Sequence, residues 1–180
     1  MPPVEVAKAA IAGGADVIQI REKSLPADAI RREAFAIVQA IGPERVAVNG
    51  QPEMAVEFGT HLHLPEADPW PDVRPEGRLI SRSVHVNTRS VESAVDYVVL
   101  GNILETGSKP GLAGVGYGAI RELCGRLGKP VLAIGGMEQG TVAAAISSGA
   151  HGVAVRSFVI VADDPEAAAR TIRKEIWWMD

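Results

Sequence analysis

Four short stretches of this sequence carry residues that can do chemistry together. Ser81, Ser83 and His85 alternate, which puts two hydroxyls and an imidazole on one face of a strand and makes His85 a candidate general acid or base. Gln19, Arg21 and Lys23 alternate in the same way opposite Ile18 and Ile20, so that strand aims polar groups into an enclosed space while its apolar face meets helices. Gly135-Gly136 closes the apolar run 131–134 and offers backbone N–H groups with room for an anion to approach. Arg156-Ser157, after Gly152-Val-Ala-Val, adds a guanidinium and a hydroxyl, so phosphate is the simplest ligand for these ends. Lys109, in the loop from Glu105 to Gly111, can close over a second anionic group. Each stretch also has a plainer reading: a core histidine, a solvated edge strand, an ordinary glycine turn, a solvated lysine. His61 and His63 share a face, but no third ligand has a place beside them, so no metal site is expected.

These groups need a scaffold that brings strand ends together. Apolar runs and alternating stretches mark seven strands, beginning near 16, 45, 61, 79, 96, 131 and 152. Helical spacing predicts helices over 4–12, 26–41, 52–58, 117–125, 139–148 and from 163 onward, and Thr88 or Ser90 can cap one running to 95. The stretch from Asp96 to Gly111 is central: a buried strand that ends at Gly101-Asn102 and delivers Glu105, Thr106 and Lys109 to one end of the sheet. Alternating β and α units predict a parallel sheet with right-handed crossovers. No G-x-G-x-x-G loop supports a dinucleotide-binding open sheet. The better expectation is a (β/α)8-type TIM barrel apparently lacking its first strand, because the chain opens on a helix.

The totals narrow the function. A chain of 180 residues at 47% hydrophobic content fits one domain, 1–180. A net charge of −4 without a dense basic run argues against nucleic acid. One cysteine, Cys124, excludes an internal disulfide. No apolar run approaches the ~18 residues of a membrane span, and no signal-peptide pattern precedes the first helix, so a cytoplasmic protein is expected.

With these residues in view the chain resembles the thiamine phosphate synthase/TenI superfamily. The resemblance rests on Ala15-Asp-Val-Ile-Gln-Ile-Arg-Glu-Lys23, Ser83-Val-His85, Asp96-Tyr-Val-Val-Leu-Gly101 with Glu105-Thr106 and Lys109, Ala133-Ile-Gly-Gly136, and Gly152-Val-Ala-Val with Ser157. It implies a barrel, usually dimeric, that handles thiazole phosphate in thiamin biosynthesis. By this resemblance Gln19, Arg21, Lys23, Asn49, Ser83, Lys109, Gly135, Gly136, Arg156 and Ser157 bind substrate or its phosphate.

Two branches compete. Val48-Asn49-Gly50, Leu64-Pro65, Arg82-Ser-Val-His85 and Glu105-Thr106 with Lys109-Pro-Gly-Leu look like the TenI branch, which includes a metal-free thiazole tautomerase. That is the leading expectation: an isomerase without a cofactor. Its pattern Gly-His-x-Phe-Glu-Thr stands here as Gly101-Asn102-Ile-Leu-Glu-Thr. An amide exchanges no proton near neutral pH. Proton transfer then falls to His85 first, with His63, Lys23 and Glu105 behind it, while Asn102 orients the substrate. The first alternative is a thiamine phosphate synthase, which joins a pyrimidine pyrophosphate to thiazole phosphate with Mg²⁺ held by two aspartates. In this chain Gly50 stands at the first of those positions and Asp68 at the second. The other alternative is a non-catalytic ligand-binding relative.

Overall fold

A computed structural model describes residues 1–22, 24–106, 111 and 113–177, with the last of these by its backbone alone. Seven strands form one parallel sheet in sequential order: β1 (Ile18–Ile20), β2 (Val46–Asn49), β3 (His61–Leu64), β4 (Ile80–Val84), β5 (Tyr97–Gly101), β6 (Val131–Ile134) and β7 (Gly152–Ala154). Helices alternate with them: α1 (Pro3–Ala12), α2 (Ala27–Ile41), α3 (Pro52–Phe58), α4 (Gly118–Leu127), α5 (Val142–Ser147), α6 (Ser157–Ile160) and α7 (Pro165–Trp177). This is the TIM-like α/β architecture, with the strands forming a half-barrel. Among the described residues no pairing joins β1 to β7.

β2, β5 and β6 read as apolar runs because both faces are covered. β2 is the extreme case, with Val46, Ala47 and Val48 all buried. One cluster packs Ile30, Ala34, Ile37 and Val38 of α2 on Val46, Val48, Leu62 and Leu64. A second packs Ile120 and Leu123 of α4 on Val98, Leu100, Val131 and Ala133. The spacing of Ile30, Ala34, Ile37 and Val38 is what makes 27–41 helical: it builds one apolar stripe, and the Gly42 backbone at φ 88° ends it.

The sheet edges close differently from its centre. α1 packs on both α2 and α7. The end of α1 meets α7 backbone to backbone, since a Cβ on Gly13 would lie 2.3 Å from the Glu166 carbonyl oxygen. Arg173 Nη1 donates to Asp16 Oδ2 at 2.9 Å across the same seam.

Two sequence expectations change here. No helix follows Thr88 or Ser90. Thr88 Oγ1 instead accepts from the His85 amide at 3.0 Å and donates to Glu66 Oε1 at 3.1 Å, so the capping hydroxyl closes a turn. β1 is an edge strand with Gln19, Arg21 and Glu22 exposed, so the expectation of an enclosed polar face gives way. No helix among the described residues is long and apolar enough to cross a membrane.

Candidate active site

Parallel pairing sets a row of polar side chains across the first four strands. Asn49 pairs in register with His63, and His63 with Ser81. Gln19 Nε2 donates to Asn49 Oδ1 at 3.2 Å, linking β1 to β2. His63, 4% exposed, bridges two hydroxyls of β4: Nδ1 lies 2.8 Å from Ser81 Oγ and Nε2 lies 2.8 Å from Ser83 Oγ. Burial holds the imidazole pKa down at about 4, and the positive charges of Arg21 and Arg82 push the same way, so His63 is neutral at pH 7.

Arg82 lies between these serines in sequence and points to the other face of β4. It is 6% exposed, and its Nη1 faces the carbonyl oxygens of Pro65 at 3.3 Å, Glu66 at 3.0 Å and Asp68 at 2.8 Å. Its Nε sits 3.2 Å from Glu92 Oε2 without the alignment of a hydrogen bond. One buried cation thus gathers the loop that follows β3 and fixes Asp68. A cleft beside β4 is lined by Glu66, Arg82, Ser83, Thr88 and Glu92.

The other strand ends are built from glycine. The loop after β5 is tied to β6 by Ile103 N–H to Ile134 O at 2.9 Å and Leu104 N–H to Gly135 O at 3.1 Å. A Cβ on Gly135, whose φ is 100°, would lie 2.6 Å from Asn102 Cβ, and one on Gly136 would lie 2.6 Å from Leu104 Cβ. The glycine pair thus lets the loop carrying Asn102 and Glu105 lie directly on β6. Asn102, 7% exposed, donates from Nδ2 to Leu104 O at 3.1 Å.

The sequence-predicted residues are distributed unevenly over this geometry. Gln19, Asn49 and Ser83 belong to the polar row, and Gly135, Gly136 and Asn102 form the second group. Arg156 and Ser157 are exposed at the start of the four-residue α6. Lys23 and Lys109 fall outside the described residues. His85 lies one residue beyond the end of β4 and is exposed, with Nε2 3.0 Å from Glu66 Oε2. His61 spends both ring nitrogens on backbone, Nε2 at Glu44 O and Nδ1 at the Leu79 amide. Sequence reasoning placed Ser81 on a face with Ser83 but passed over its bond to His63, the loop-holding role of Arg82 and the double bridge of His63. The alternation of Ser81 and Ser83 was visible, but the pairing register that sets His63 between them was not.

Comparison with known proteins decides the lineage. A model of the family described as thiamine monophosphate synthase matches residues 2–159. The chain belongs to that family. A thiamine-phosphate synthase of Methanoculleus marisnigri is 38% identical over 183 residues, covering 96% of this chain and 87% of the relative. One from Thermus thermophilus is 32% identical, covering 93% of this chain and 86% of the relative. The structure of thiamine phosphate pyrophosphorylase from Pyrococcus furiosus shares the fold, with a TM-score of 0.79 at 24% identity, covering 98% of this chain and 90% of that one. These relatives overturn the expectation of a TenI-type tautomerase: the curated proteins matched over most of their length are named synthases. The side-chain chemistry agrees, since the position the tautomerase pattern gives to histidine holds a buried amide already donating to backbone.

The synthase reading brings Mg²⁺ with it, and the donor set can be tested. Gly50 lies at φ 66° with its N–H donating to His63 O at 2.8 Å. A Cβ built there would come 3.3 Å from Asp68 Oδ2. A carboxylate at position 50 would therefore stand beside Asp68, and glycine supplies none. Among the described residues no three of His, Cys, Asp and Glu converge on one point. Among the described residues, Gly50 and Asp68 do not form a two-carboxylate magnesium site.

Proposed function

We propose that this protein is a thiamine phosphate synthase, joining a pyrimidine pyrophosphate to a thiazole phosphate with release of pyrophosphate. The observation that carries this reading is the 38% identity to a thiamine-phosphate synthase over 87% of that protein's length. In the reaction one bond forms between the two rings while the bond to pyrophosphate breaks. The chain must then hold two anionic groups and hold the leaving group as charge builds on it.

The strand ends support these roles. Ser83 and Asn49 meet the pyrophosphate, with Gln19 steadying the Asn49 amide through their 3.2 Å hydrogen bond. Arg21 supplies positive charge from the end of β1. Gly135, Gly136, Arg156 and Ser157 receive the thiazole phosphate across the sheet. Arg82 keeps Asp68 at the mouth through the three carbonyls it gathers. Because Gly50 removes one of two expected magnesium ligands, no step here passes through the metal.

The test is direct. Purified protein is given the pyrimidine pyrophosphate and the thiazole phosphate, with and without Mg²⁺, and thiamine phosphate is measured beside released pyrophosphate. Both products should appear in equal amounts. Their absence under every cation condition, with both substrates at saturating concentration, would refute the proposal.

A further inference from the structure

Ser81 is 1% exposed, and among the described residues its hydroxyl oxygen has one partner, His63 Nδ1 at 2.8 Å. Its proton has nowhere else to go. If Nδ1 carried a hydrogen, Ser81 would have to accept from it and would bury an unsatisfied O–H. Nδ1 is therefore the bare nitrogen, and Ser81 donates to it. A neutral imidazole with Nδ1 bare carries its hydrogen on Nε2. That hydrogen points at Ser83 Oγ, 2.8 Å away. Ser83 thus accepts from the histidine and keeps its own O–H free. Ser83 is half-buried, so this O–H is within reach of a ligand at the end of the polar row.

We infer that His63 and Ser81 are positioning residues which act through Ser83, turning its hydroxyl into a fixed hydrogen-bond donor for the pyrophosphate of the substrate. The buried serine sets the tautomer, the tautomer sets the direction of the second hydrogen bond, and that direction sets what Ser83 offers the ligand. Neither Ser81 nor His63 touches the anion. The low imidazole pKa supports the same arrangement, because a doubly protonated ring would leave the Ser81 proton without an acceptor. This inference rests on the synthase reading for the identity of the anion, but the hydrogen-bond order stands on the geometry alone.

Two measurements test it in the whole protein. The first is ¹⁵N NMR of the histidine rings of unmodified protein at pH 7, with His63 assigned by its loss in His63→Gln. The spectrum should show the Nε2–H tautomer; an Nδ1–H or doubly protonated ring would overturn the inference. The second is titration with inorganic pyrophosphate. Ser83→Ala and His63→Leu should each weaken binding about tenfold, the size of one hydrogen bond to a charged group. His63→Gln, whose amide can still donate toward Ser83, should recover part of that loss. Ser81→Ala should also weaken binding, by about threefold, because it frees the ring to adopt either tautomer. Unchanged pyrophosphate affinity in Ser83→Ala and His63→Leu would overturn the inference, as would failure of unmodified protein to bind pyrophosphate. Binding that follows this pattern without coupling of the two substrates would instead sink the synthase reading and leave the hydrogen-bond order intact.

Discussion

The two sides of the site are built on opposite principles. From β1 to β4 the strand ends carry side chains that hold one another: Gln19 on Asn49, and His63 between Ser81 and Ser83. From β5 to β6 the strand ends carry almost no side chain, and Gly101, Gly135 and Gly136 let backbone lie on backbone. The first side sets direction through proton placement. The second sets distance through absent atoms. A site assembled this way tolerates different kinds of damage on its two sides, and substitutions should separate them.

The largest effect should come from Gly135→Ala. Its Cβ would lie 2.7 Å from Asn102 Cα, a backbone atom with no rotamer to yield, and φ 100° is already unfavourable for any L side chain. A loss of about 3 kcal/mol is expected, read as a lower urea midpoint with unchanged slope. Stability within error of wild type would mean that the loop after β5 does not rest on β6 as described.

The polar side should show itself in pH dependence. His63 titrates near 6.5 in the unfolded chain and at about 4 when folded. Between those values the unfolded chain binds a proton that the folded protein refuses. Stability is therefore full above pH 6.5 and falls as the pH drops toward 4, by roughly 3 kcal/mol. Chemical denaturation from pH 7 to 4 should trace that slope, and His63→Gln should flatten it. An equal slope in both proteins would assign the acid sensitivity to other groups.

The smallest effect belongs to His85→Ala. The residue is exposed, and its contact with Glu66 is between two half-open side chains. Stability should change by less than about 0.5 kcal/mol on a thermal melt. Turnover should stay within about twofold, since an exposed pair of this kind is worth little to either state. A large loss of coupling rate would return His85 to the site.

Much of this was legible before any coordinates. Strands β1, β3 and β4 show as alternation of apolar and polar residues, whereas β2, β5, β6 and β7 show as apolar runs, as strands covered on both faces do. Helix α2 shows its stripe for the same reason. The region 88–95 misled because Thr88, Ser90, Val91 and Val95 imitate a capped amphipathic helix, while the hydroxyl is spent on His85 and Glu66. His85 lies one residue past the end of β4, where strand alternation no longer governs its direction, and it is exposed. The polar row was half legible: serines two apart advertise a face, but no local pattern states which residue of a neighbouring strand stands opposite. Parallel register is a property of the packed sheet. The glycine pair was legible as a special backbone, yet the partner pressed against it, Asn102, lies 33 residues earlier in the chain.

The meeting of α1 and α7 has a mechanical meaning. Seven strands paired in sequence make a strip, with β1 and β7 at its two free margins. Strand twist already curves such a strip, and the contact at Gly13 with the Asp16–Arg173 tie spans the gap between its margins. Those helices therefore act as a clasp between the strand that carries Gln19, at one margin, and the one that precedes Arg156 at the other. Two helices outside the polar row thus brace the sheet that carries it.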